Sequence, residues 1–176
     1  MGVRWPVYAK GAVFELKPLS KEAIPGALAK AERYRLLNEP WQAESICRDV
    51  LMVDPANQAA IIMLILALTE QFDSGINIQS ALDMLKSLQD QYERAYYAGI
   101  IHERRAIALF RNTSFRSTSA VYALLVHAME WYEKAQTIRP PGNDDALLRW
   151  NACTRFLRCH PQLRPVIERA EPVASE

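Results

Sequence analysis

From Ala27 onward, apolar residues recur three and four positions apart: Ala27, Leu28, Ala31, Tyr34 and Leu37, then Trp41, Ala43, Ile46, Cys47, Val50 and Leu51. That spacing predicts two amphipathic helices. The first starts at Ser20 as N-cap or at Pro25, since proline is tolerated in a first turn. Asn38-Glu39-Pro40 separates the two: Asn can close a helix in the left-handed conformation, and Pro40 can open the next. Asp54-Pro55 stops the second. A third helix, about 57–72, is apolar almost all round through Ile61 to Leu66 and must be covered on both sides. After the turn at Asp73-Ser74-Gly75, a fourth helix (77–89) turns Ala81, Leu82, Leu85 and Leu88 inward. The fifth spans about 91–110 and the sixth about 119–138, joined by the polar stretch Arg111 to Ser119. Pro140-Pro141-Gly142-Asn143 breaks the chain again. Asp144 or Asp145 then caps a seventh helix that ends at His160-Pro161. Strand signals are nearly absent beyond a short alternation near Val13 to Lys17, so the predicted class is all-α with about seven helices.

Two of these helices repeat one another. Ala43, Cys47, Val50 and Pro55 have the spacing of Ala128, Tyr132, Ala135 and Pro140: small, bulky, small or branched, then a stopping proline. Paired helices with short turns and this signature resemble the tetratricopeptide repeat, a helical hairpin of 34 residues. The first unit, 24–57, offers Ala27, Ala31 and Tyr34 and then Ala43, Cys47, Val50 and Pro55. The small Ala31 lets its two helices approach closely. The second, 58–91, offers Ile61, Leu64, Ile65 and Leu68 and then Ala81, Leu85 and Leu88, without a closing proline. The third, 92–142, has Ala95, Ala98, Gly99 and His102 before Ala128, Tyr132, Ala135 and Pro140. It is longer than the family's unit, which reads as each helix gaining about two turns, plus the loop. The seventh helix, 144–160 (Trp150, Cys153, Thr154, Leu157), is similar to the solvating helix that caps such arrays, with Arg149, Arg155 and Arg158 kept in water. The resemblance implies a right-handed α-α superhelix over 20–162, preceded by an arm (1–19) and followed by a tail (163–176).

In that family the first helix of each hairpin lines a concave groove. Carried over residue by residue, the groove is made by Leu28, Glu32 and Arg35, then Ile62, Leu66 and Thr69, then Tyr96, Ile100, Glu103 and Arg104. An apolar, aromatic centre with an arginine rim suits an extended peptide or an amphipathic helix. The Lys and Asn set with which some family members grip a terminal carboxylate is missing. The expectation is a non-catalytic interaction module, a scaffold or adaptor for a protein or peptide partner. The alternative is a small tetratricopeptide chaperone for a secreted or assembling client. Ile62 and Leu66 also admit a plainer reading as core, covered by the arm (Trp5, Val7, Tyr8, Phe14) or by the long third hairpin. Trp41, Trp131 and that hairpin's outer side could pair subunits in a homodimer.

Composition narrows the field. Hydrophobic residues make up 50% and charged residues 23%, as in a folded globular domain, and a formal net charge of +1 gives no global pull toward nucleic acid. An arginine concentration (Arg94, Arg104, Arg105, Arg111, Arg116) keeps a nucleic-acid reading open as a third choice, although a solvated helix face explains it more simply. The longest apolar run, Ala59 to Leu68, is far short of the ~20 residues of a membrane span. The N-terminal residues show no signal-peptide stretch, and Pro6 breaks the myristoylation pattern. Three cysteines without framework spacing suggest reduced thiols and a cytoplasmic setting. No catalytic residue, metal site or cofactor is expected. His102 and Glu103 point about 100° apart on a helix, so they do not converge on one atom. Cys153, Cys159 and His160 invite a metal reading, but six residues on a helix put the two thiols on different faces, and no second ligand pair exists. His127 reads as a packing histidine, and Cys47 as a buried, inert thiol.

Overall fold

A computed structural model describes residues 15–112 and 118–163. Among them the regular structure is helical throughout: α1 (Ile24–Leu36), α2 (Pro40–Val53), α3 (Gln58–Thr69), α4 (Ile78–Leu85), α5 (Gln91–Asn112), α6 (Thr118–Thr137) and α7 (Asp145–Cys159). Short 3₁₀ turns occupy Lys21–Ala23, Phe72–Ser74 and Pro161–Leu163. The chain is all-α. Trp5, Val7, Tyr8 and Phe14 of the expected arm, residues 113–117 with Arg116, and the tail from 164 lie outside the described residues.

The helix ends follow local chemistry. Asn38 takes φ 60 after α1. The Glu39 amide then reaches back to the Tyr34 carbonyl at 2.9 Å and the Asn38 amide to that of Arg35 at 3.0 Å. These two bonds satisfy carbonyls that a helix end otherwise leaves open. Pro40 opens α2, where its missing N–H costs nothing. The Asn57 carboxamide oxygen accepts the Ala60 amide at 3.0 Å and caps α3, and Asp90 accepts the Glu93 amide at 2.8 Å to start α5. Gly142, at φ 79, lets the prolines ahead of it turn the chain into α7.

Two elements are shorter than expected. α3 stops at Thr69 rather than near residue 72, where a 3₁₀ turn closed by Gly75 at φ 90 takes over. α4 ends at Leu85 rather than near residue 89. There the Gln58 side chain accepts the Gln89 amide at 2.8 Å and donates to the Ser87 carbonyl at 3.3 Å. Backbone groups that could have extended α4 are thus tied to the start of α3. As expected, α5 and α6 are long, running for 22 and 20 residues against 13 and 14 in α1 and α2.

Consecutive helices pack against one another, and α1 also touches α3 as α3 touches α5. The α5–α6 pair shares the largest contact. Apolar residues form two cores. One gathers Ala31, Ala43, Cys47, Ile61, Leu64, Ile65 and Leu68, and the other Ile100, Val121, Leu125, Ala128, Tyr132 and Cys153. Tyr97 packs on both. Ala31 and Ala43 are wholly buried between α1 and α2, where larger side chains would push the helices apart. Among the described residues no helix is long and apolar enough to cross a membrane.

Candidate partner-binding groove

The contacts of α1 with α3 and of α3 with α5 bring together residues spread over three segments of sequence. At their centre is Glu70, the residue that ends α3. Arg35 on α1 donates to it from Nη2 at 2.6 Å and from Nε at 3.0 Å, a forked guanidinium–carboxylate pair. From the other side Arg104 on α5 reaches Glu70 at 3.3 Å, the Thr69 hydroxyl at 2.8 Å and the Leu66 carbonyl at 3.3 Å, all through Nη1. Arg35 also touches Met63 Sδ at 3.3 Å. One carboxylate therefore ties three helices together, and both arginines are more than two-thirds buried.

A second charged set lies beside the first. Tyr132 on α6 donates its hydroxyl to Glu103 on α5. Arg149 on α7 stands with Nε 3.1 Å from Glu103, an ion pair not aligned as a hydrogen bond. Burial, then the Glu103 charge and hydrogen bond, pushes the Tyr132 phenol far up, so it stays a donor. For Arg149 burial pulls downward, but Glu103 and Tyr132 outweigh it and the net shift is upward. Arg104 is lowered, by burial first, with Arg149 and Arg35 adding repulsion against the attraction of Glu70. Arg35, Arg104 and Arg149 thus share one electrostatic neighbourhood.

Tyr96 fills the space next to this set. Its ring stacks on Tyr92 at 5.8 Å, meets Tyr97 edge-on at 5.2 Å and leans on Tyr132 at 6.1 Å. Burial pushes Tyr97 up to about 12 and raises Tyr96 as well.

The residues expected to line the groove separate into three groups. Glu32 is exposed, and Leu28, Arg35, Ile62, Leu66, Tyr96, Glu103 and Arg104 are half-buried. Thr69 and Ile100 are buried, so they belong to the walls rather than to an open surface. Thr69 is turned inward by its own hydroxyl bond to the Leu66 carbonyl at 2.8 Å, and Ile100 joins the core around α6. Ile62 and Leu66 pack against the two cores, as their plainer reading expects. Arg149 corrects another expectation. It is not kept in water, because its face of α7 turns toward Glu103, while Arg155 and Arg158 are exposed. Glu70 has no counterpart among the expected residues, although it is the sole acid closing the apolar third segment.

The remaining candidates scatter. His102 is buried and faces His127 with ring centroids 4.2 Å apart, away from the Glu103 set. His127 itself is exposed rather than embedded in the core. Cys153 is buried, its thiol pushed up to about 12 by burial, and Cys159 is exposed. Cys47 is likewise pushed up to about 12. The arginine concentration dissolves into separate contacts: Arg94 on the Leu88 carbonyl, Arg105 over the Phe72 ring and Arg111 on Asp73. The exposed sides of Trp41 and Trp131 are only partial, since both are half-buried. No known protein family, characterised protein or solved structure matches the chain.

Proposed function

We propose that the chain is a protein-interaction module: three tetratricopeptide-like hairpins (α1–α2, α3–α4, α5–α6) capped by α7, winding as a right-handed superhelix. A segment of a partner protein lies across α1, α3 and α5. The observation that carries this reading is the direct packing of α1 on α3 and of α3 on α5, with Arg35 and Arg104 joined through Glu70 and Tyr96 leaning on Tyr132, the partner of Glu103. Polar groups fixed to one another by ion pairs lose little freedom on binding, and a rigid face with an aromatic anchor suits peptide recognition. The reading is non-catalytic and needs no cofactor.

The test is an array of 15-residue peptides of varied charge and hydropathy, probed with wild type and with a Glu32→Arg, Tyr96→Ala variant. The expected outcome is a subset of peptides held by wild type and lost from the variant, with both proteins giving the same helical circular dichroism. Equal retention by both, or no peptide held above background, refutes the groove.

A further inference from the structure

Beside Tyr96 the structure has an open cleft of about 270 Å³, lined by Asp90, Tyr92, Glu93, Tyr96, Tyr97, Pro140, Asn143 and Asp145. Its walls come from the start of α5, the α6–α7 turn and the first turn of α7. One side chain fixes them together. Asn143 Oδ1 accepts the Tyr92 hydroxyl at 2.9 Å and the Asp145 amide at 3.0 Å, joining residues far apart in sequence. The cleft is thus held open by the fold rather than formed by the ligand.

Its chemistry is one-sided. Three tyrosine rings, with Tyr96 in contact with both Tyr92 and Tyr97, line it together with three carboxylates, and no basic residue is part of the lining. Asp90 is partly committed as the cap of α5. Glu93 is half-buried, and its carboxylate has no hydrogen-bond or ion-pair partner among the described residues. Burial and then the Asp90 charge raise its pKa, as expected of an acid lacking a counter-ion. Asp145 lies one turn before Arg149 on α7, and Arg139 across the turn is occupied by Asp144 at 2.8 Å. The positive charges felt by these rings are Arg149 and Arg104 at Tyr96 and Arg35 at Tyr97, all on the groove side. The π-face of a phenol ring attracts a cation, and a neighbouring carboxylate adds to that attraction.

We infer that this cleft seats a basic side chain, lysine or arginine, of the protein segment held in the groove. This rests on the groove reading and adds the partner's chemistry to it. The occupant is a protein side chain because the cleft opens beside Tyr96, the aromatic centre of the groove. Arg104 lies roughly 12 Å beyond Tyr96 along α5 by the helix rise. The groove is therefore acidic and aromatic at one end and arginine-rich at the other. A bound segment places its basic residue toward the N-terminal end of α5.

The experiment titrates the isotope-labelled full chain by two-dimensional NMR with N-acetyl-lysine methylamide and, separately, with its uncharged norleucine isostere. The expected result is a saturable shift confined to Tyr92, Glu93, Tyr96, Tyr97, Asn143 and Asp145, with a dissociation constant on the order of 1–10 mM. The isostere shifts nothing there, and 0.5 M salt, taken as a screening concentration, weakens the lysine effect. Glu93→Gln and Asp145→Asn, both changes at the cleft rim, each weaken binding roughly threefold. Equal shifts from the isostere, or lysine shifts spread over the surface, overturn the inference. The second arm replaces the basic residues of an array-selected peptide by norleucine. Unchanged retention sinks the cleft and leaves the groove standing. If the lysine probe saturates the cleft while no peptide is held, the cleft stands as a cation site, and both the groove and the protein-segment occupant fall.

Discussion

Replacing Gly99 by alanine should destabilise the protein, against the intrinsic preference of a helix for alanine. A Cβ built on Gly99 would lie 2.4, 2.6 and 2.8 Å from Cε1, Cδ1 and Cζ of Tyr132. Contacts that short do not exist in packed proteins, so the ring must retreat. It cannot do so freely, because Tyr132 is wholly buried on α6 and its hydroxyl is held by Glu103 on α5. Overpacking of this kind costs about 1–3 kcal/mol, and loosening a hydrogen bond to a charged group adds about 1 more. Alanine returns about 1 kcal/mol through helix propensity. The net is a loss of about 1–3 kcal/mol, or a fall in Tm of roughly 3–10 °C for a domain of this size. Urea unfolding followed by tryptophan fluorescence measures it. The decisive comparison is a Tyr132→Leu background, which lacks the ring. There Gly99→Ala should be neutral or stabilising by up to about 1 kcal/mol. The same loss in both backgrounds, or no loss in the wild type, would refute the claim that this glycine exists to admit Tyr132.

Three further outcomes are expected. Glu70→Gln leaves the largely buried Arg35 and Arg104 without their shared counter-charge, costing about 1–3 kcal/mol. The loss should be smaller when Arg35→Met is added, as a double-mutant cycle in denaturant will show. His102 is pushed down to about 4, by burial and then by His127, from 6.5. Its neutral form is the one the fold favours, so stability is complete above about pH 6.5 and falls by up to about 3 kcal/mol as pH drops toward 4. Unfolding midpoints between pH 7 and 4 should flatten in His102→Gln, and an unchanged slope would exonerate this residue. Finally, Asn57→Ala removes the α3 cap and the Asn57–Asp54 bond, with an expected cost of about 1 kcal/mol by thermal unfolding.

The helix order, the breaks between helices and most of the core were legible in the sequence because they depend on neighbours three and four positions apart. Asn38 before Pro40, Asn57 before the apolar run and the prolines before Gly142 carry their conformations locally, whatever surrounds them. The premature end of α4 was not legible. It depends on Gln58 reaching Ser87 and Gln89 across the hairpin, a bond between positions that no periodicity relates.

The candidate site divides along the same line. The family resemblance pointed to Arg35, Tyr96, Glu103 and Arg104, which lie on α1 and α5, because a position carried along a helix keeps its face. It left out Glu70 and misassigned Arg149, because a charged side chain looks the same in sequence whether it meets water or a partner. Only the tertiary packing of α1, α3, α5 and α7 decides that Glu70 answers two arginines and that Glu103 answers a third. Helical periodicity fixes which side of each rod is apolar. Where charges from separate rods converge is fixed by how the rods stack, and that is settled by the fit of whole surfaces such as Gly99 against Tyr132.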